Sequence, residues 1–278
     1  MPKSSGARIG IGAAVVGVVV LVGAGVLFYG LMVDETRFGR PSAEFDAARS
    51  EIASVEGVEI VYSERWVEAP TFSDPASYIS VTVRADALPD LLDRACESTY
   101  PGAVSWAIEV DTASETRVSL FSDPAPGCLE IGFDPVPVVA EIDRVAPGLP
   151  VQAALMDSGM FTLNTMEDVF EGLVPLVAHA EAVRDAAGLA PRGQVEVAGS
   201  RLGVTVGPGE GPAYEELLTL LIADYEVSYF GAASGDTQMD GVDKVQVAAP
   251  EQHHAAVEAA IARSSLPLSD LPVAFLPE

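Results

Sequence analysis

The residues of this 278-residue chain whose types could do chemistry are two cysteines, three histidines and some paired carboxylates. Neither Cys96 nor Cys128 has a histidine or a basic cluster near it in sequence, so nothing lowers either thiol pKa to make a nucleophile. The chain has no CxxC and no metal-ligand spacing. In an oxidising compartment the two are expected to pair as a structural disulfide. Pairing closes a loop of about 33 residues, worth roughly 3–4 kcal/mol in the chain-entropy model. Two buried free thiols are the other reading. His253 and His254 are adjacent, so on a helix they diverge by ~100°, and His179 stands apart. Neither i, i+4 spacing nor HExxH occurs, and these histidines are expected to be structural.

Three further stretches resemble sites and then fail. In SGDTQMDGVDK (234–244), Asp236, Gln238, Asp240 and Gly241 match the opening of a calcium loop. The position that needs a bidentate glutamate is Val247, so a polar turn is expected, with a weak divalent-cation site as the alternative. Gly207-Pro-Gly-Glu-Gly-Pro212 precedes a predicted helix as phosphate loops do, but Glu210 would face the anion and no lysine follows. The pairs Asp90/Asp93, Glu167/Asp168 and Glu215/Glu216 sit at helix-surface positions. Glycoside chemistry would need a cleft that raises one carboxyl pKa. Trp66 and Trp106 could line a sugar groove, but a core or interface role is expected. There is no GxSxG elbow. No catalytic, cofactor or metal residue is assigned; the one residue pair assigned is the disulfide.

The stretch that must position everything else is Ile9–Val33, twenty-five residues without a charge. As a helix it would reach ~37 Å, against a hydrocarbon core of ~30 Å. Its apolar core is too long for a cleaved signal peptide. The spacing predicts an uncleaved transmembrane helix, with residues 1–8 as a cytoplasmic leader and 34–41 as a linker. Lys3, Arg8 and the amino terminus favour the cytoplasmic side for the leader; Arg37 and Arg40 oppose this weakly. The expected topology is N-terminus in, C-terminal domain out. Gly6, Gly10 and Ala14, with Ala13 and Gly17 beside them, give the small-residue spacing of weakly self-associating spans.

All 41 acids lie after residue 33, against 13 bases there, a net of −28. That field repels nucleic acid and anionic lipid and would attract cations or basic partners. The composition, rich in alanine, valine, glycine and aspartate and poor in lysine, resembles that of a high-GC bacterium, with a salt-adapted organism as the alternative.

From Ser42 onward amphipathic helices alternate with pairs of strands. Helices are predicted near 42–55, from Asp86, from Asp134-Pro135, from Thr165 to about Ala187 with a break at Pro175, after Pro212, and over 250–263. Strands are predicted at 58–66, 78–84, 104–110, 117–121, 151–156, 160–163, 194–197, 202–206, 225–230, 242–247 and 272–276. The order is an α+β fold of helix-strand-strand units, readable as two or three ferredoxin-like βαββαβ units, with units at 42–156 and 157–278. The expected function is a single-pass, membrane-anchored extracytoplasmic protein that binds or scaffolds in the cell envelope. Its partners would be the bilayer through 9–33 and an envelope protein, and not nucleic acid. The alternatives are an envelope hydrolase using acidic residues and a weak divalent-cation-binding ectodomain.

Overall fold

A computed structural model describes residues 37–68, 74–190, 193–232 and 241–277. The predicted transmembrane helix, its leader and most of the calcium-like loop lie outside the described residues. Among the described residues no helix is long and apolar enough to cross a membrane.

Alternating apolar and polar residues make the strands. Ser77, Ile79, Val81 and Val83 of β3 (Ala76–Arg84) are buried, and the residues between them are half-exposed. β4 (Val104–Asp111) repeats this with Val104, Trp106, Ile108 and Val110. Ten more strands complete one mixed sheet: β1 Arg37–Gly39, β2 Val58–Glu68, β5 Arg117–Ala125, β6 Val151–Leu155, β7 Phe161–Asn164, β8 Val195–Ala198, β9 Leu202–Val206, β10 Tyr229–Ala232, β11 Val245–Ala248 and β12 Val273–Phe275. Every strand neighbours the one before and after it in sequence. Hairpins are antiparallel, and the pairs β3/β4, β5/β6, β7/β8, β9/β10 and β11/β12, each joined by a helical crossover, are parallel.

Seven α-helices are described: α1 Ala43–Ala53, α2 Leu88–Glu97, α3 Pro135–Val145, α4 Val174–Ala178, α5 Ala180–Ala186, α6 Gly211–Tyr225 and α7 His254–Arg263. Ser42 caps α1 by accepting from the Phe45 amide, and Asp134 caps α3 by accepting from the Val136 amide, with Pro135 in the first turn. Each cap is worth about 1 kcal/mol.

The register shows which face the helices cover. Ile60, Val81, Ile108, Leu120, Ala153, Leu163, Val197 and Val204 stand in one line from β2 to β9, and all but Ile60 are buried. The helices' buried residues join these in one apolar cluster. On the other face Glu59, Thr82, Glu109, Ser119, Gln152, Asn164, Ala198, Gly203, Gly231, Gln246 and Ala274 form a line across eleven strands. No large apolar side chain stands in it. A Cβ added at Gly203 would meet nothing within 4 Å, so the face is open there. The sheet advances in one direction while its parallel pairs alternate in direction. Helices held to one face therefore require successive crossovers of opposite hand, whereas about 98% of such crossovers are right-handed.

Several expectations are corrected. A ferredoxin-like unit interleaves its strands, but here the order is sequential and the units share one sheet. Part of the 34–41 linker is β1, paired to Trp66–Glu68. Asp86 does not cap α2; a 3-10 turn, Ala85–Ala87, precedes the helix and Asp86 takes Arg84 as its partner. Residues 165–170 are not helical: Thr165 accepts from the Glu167 amide, and Asp168 turns to Ser200 and Arg201. The break beyond falls at His179, between α4 and α5, while Pro175 starts α4, where its missing N–H costs nothing. Helix α6 runs through Tyr225 and stops at Glu226, whose φ is 54°, so β10 begins later than expected.

Candidate functional site

Cys96 and Cys128 form the expected disulfide. It joins the last turn of α2 to the loop after β5, and both cysteines are exposed. A disulfide is the chemistry of an oxidising compartment.

Among the described residues no helix lies over the other face of the sheet. Near β1 and β2 it is aromatic: Tyr62 and Tyr78 lie 6.1 Å apart, and the Arg37 guanidinium sits 4.7 Å above the Trp66 ring. The Tyr62 hydroxyl donates to Glu64, which pushes the tyrosine pKa up. Across its middle the face is polar, with Thr82, Glu109, Ser119, Gln152 and Asn164. Tyr229 lies over Gly231, where a Cβ would come 2.8 Å from the tyrosine hydroxyl. At one rim a cleft of about 540 Å³ opens between Phe121, Leu155 and Met156 on one side and Glu130, Ile131 and Gly132 on the other. Asp123 and Asp157 also line it.

A second cleft, of about 630 Å³, lies where β3 and β4 end, against Val136 and Val139 of α3. Two of its three carboxylates, Asp86 and Asp143, are held by other side chains, and Asp111 is the third. Arg84 donates to both Asp86 oxygens and holds that carboxyl below the usual range. Asp143 accepts from Thr112 at 2.6 Å and Thr116 at 2.5 Å. Burial works against its charge, but hydrogen bonds from Thr112, Thr116 and Ser114 outweigh that and hold the pKa low. Elsewhere Arg201, then Ser200, lower Asp168, and Arg144 lowers Glu141. Every described carboxyl with a displaced pKa moves down, the opposite of what a general acid needs near neutral pH.

The remaining sequence candidates are placed as follows. Glu210 accepts from the Gly207 amide at 2.7 Å and Glu181 from the Gly209 amide at 3.1 Å. Carboxylates of the chain itself thus take the donors an anion would use. His254 stacks on Phe275 at 3.6 Å and its Nε2 lies 3.0 Å from the Ala249 carbonyl, clamping β12 to α7. His253 lies 5.9 Å from Tyr225, and His179 is exposed. Trp106 is buried in the core and Trp66 lies on the open face. Asp90, Asp93, Glu167, Asp168, Glu215 and Glu216 are all exposed. No group of three histidine, cysteine or acidic residues able to hold a metal occurs among the described residues. Of the calcium-like loop only Gly241 to Lys244 is described.

Sequence reasoning missed the polar line on the open face, although strand alternation signals it. It also missed Arg184, which is buried and donates to the Gln194 and Ala190 carbonyls, its Nε unpartnered. Gly193 makes room for it: a Cβ there would fall 1.9 Å from the guanidinium.

The class this defines is a mixed α+β domain whose described helices pack on one face of a sequentially ordered twelve-stranded sheet. No protein-family model, curated protein or solved structure matches the chain.

Proposed function

We propose that the chain is a single-pass, membrane-anchored extracytoplasmic protein whose α+β domain binds or scaffolds a component of the cell envelope through its open sheet face. The observation that carries this reading is a line across eleven strands with no large apolar side chain, polar from Glu59 to Asn164, with aromatic side chains at one end. An antiparallel or mixed sheet can leave one face in water, and a face this wide is ready-made binding area. The uncharged stretch Ile9–Val33 supports the anchor, and the disulfide supports an oxidising compartment. The excess of acids favours a basic or neutral partner over an anionic one.

Two measurements test this. The full-length chain should resist carbonate extraction, and a tag at its far end should be cut by protease added to intact cells. A photo-crosslinker at Thr82, Gln152 or Asn164 should then give one reproducible adduct that is absent with the crosslinker at Glu215 or Glu258 on the helix layer. Release by carbonate, or adducts that are the same from both layers, would refute it.

A further inference from the structure

Seven large apolar side chains are exposed among the described residues, and three of them, Phe38 (42%), Val61 (63%) and Tyr62 (51%), lie on β1 and β2. β1 is the strand that follows the uncharged N-terminal stretch in sequence, and β2 is its partner. β1 pairs with β2 as far as Trp66, and the Arg40 amide then donates to the Arg65 carbonyl, so among the described residues Val58 to Glu64 have no strand on that side. That edge is closed to another strand: the pairing slips between Ile60 and Tyr62, and Glu59 and Glu64 flank the slip. A second copy of a body carrying −28 is also repelled. Val61 and Tyr62 need a different cover.

The length of chain before β1 supplies one. Three residues, 34–36, separate Val33 from Arg37. Even fully extended they hold β1 within ~14 Å of the end of the span. Val61 lies ~23 Å along β2 from the Glu68 end. Apolar groups at both ends of the strand can reach the lipid surface together only if β2 lies along it. Tyr62 and Trp66 are aromatics of the kind that settle at headgroup level, as is Phe38 between Arg40 and Arg37, the latter ion-paired with Glu68. The net charge of the rest keeps it off an anionic surface.

We propose that the β1–β2 edge is a membrane-contact surface, lying in the interfacial zone of the same bilayer that holds Ile9–Val33. The sheet then stands on its first strands. Because strand order follows sequence order, each strand is a step of ~4.8 Å, and β12 is carried ~50 Å from the lipid along a twisting sheet. This rests on the anchor reading above, so the test separates the two. The full-length chain is reconstituted in phosphatidylcholine–phosphatidylglycerol vesicles with or without a headgroup spin-labelled lipid, and tryptophan fluorescence is read. Trp66 is at the contact; Trp106 is buried two strands further in. The spin label should quench the wild type at least twice as strongly as Trp66→Phe. Val61→Glu and Tyr62→Glu, both on the exposed edge, should each reduce the quenching by half or more. A chain that floats with the vesicles but whose quenching is unchanged by Trp66→Phe overturns the edge contact alone. A chain that does not float overturns the anchor and the contact together.

Discussion

Replacing Asp143 tests how the β4–β5 hairpin is held to the helix layer. Its carboxylate receives Thr112 at 2.6 Å and Thr116 at 2.5 Å. Thr116 has no exposed surface, and its hydroxyl also accepts from the Gly148 amide at 2.8 Å. Thr112 accepts from the Thr116 amide at 3.1 Å. Hydrogen bonds to a charged group contribute about 1.5–3 kcal/mol each, and a buried donor left unpaired costs about 1–3 kcal/mol. Asp143 is half-exposed, so water can replace it at Thr112 but not readily at Thr116. Asp143→Ala should therefore cost about 2–4 kcal/mol. For a domain of this size that lowers Tm by roughly 4–16 °C. Asp143→Asn keeps the shape and one acceptor and should cost about half as much. The pH dependence has a definite sign. The folded-state pKa is lowered, so the unfolded chain binds the proton more tightly. The contribution is complete above the unfolded value near ~4 and is lost as pH falls through the lower folded value. Thermal melts of wild type and Asp143→Asn, followed by circular dichroism, should thus differ by a constant amount from pH 7 to ~5 and converge below ~4. A loss under about 1 °C in Asp143→Ala, or a gap unchanged down to pH 2, would refute the reasoning.

Other outcomes follow from the same structure. Reducing Cys96–Cys128, or the double serine variant, should destabilise by roughly 3–4 kcal/mol in the chain-entropy model and slow migration on a denaturing gel relative to the oxidised chain. Gly211→Ala should be badly tolerated, because the new Cβ falls 2.3 Å from the Ala178 carbonyl oxygen, where α6 starts against α4; a loss of about 3 kcal/mol or more is expected in a denaturant titration. Gly203→Ala is its opposite: the Cβ enters open space above the bare face, and stability should hold or rise by about 0.4–1 kcal/mol. A loss at Gly203 as large as that at Gly211 would mean that the face is covered.

Local features of the fold were legible in the sequence. Alternation in YISVTVR and VSWAIEV marks β3 and β4 and their buried face. Asp134-Pro135 marks the start of α3, and Gly199-Ser200 the β8–β9 turn. The disulfide followed from cysteine count and compartment. Pairing was not legible. A helix-strand-strand series reads the same whether the strands interleave or lie in order, because the difference is which strand lies beside which. β1 was read as linker, since three residues carry no period and need Trp66–Glu68 as a template. The Asp143 lock could not be seen either. Its partners lie 27 and 31 residues earlier, and nothing local distinguishes this aspartate from one facing water.

The alternating crossovers follow from the same alternation of side chains. If every crossover were right-handed, a sequentially ordered sheet that reverses at each hairpin would send its helices to opposite faces in turn. Helices would then lie over the line through Thr82, Glu109, Ser119 and Gln152. Read as a Boltzmann ratio, the preference of about 98% is worth roughly 2 kcal/mol per crossover. Burying one unpaired carboxylate such as Glu109 costs several kcal/mol even after relaxation, and each unpaired amide or hydroxyl adds about 1–3 kcal/mol. Meanwhile Val81, Ile108 and Leu120 would lose cover, at about 1.5–3 kcal/mol for each large apolar side chain exposed. Side-chain patterning therefore outweighs the hand of the connection at every second crossover. The result is an assembly in which each strand answers only to its neighbours, so a chain that starts at one edge of the sheet must end at the other.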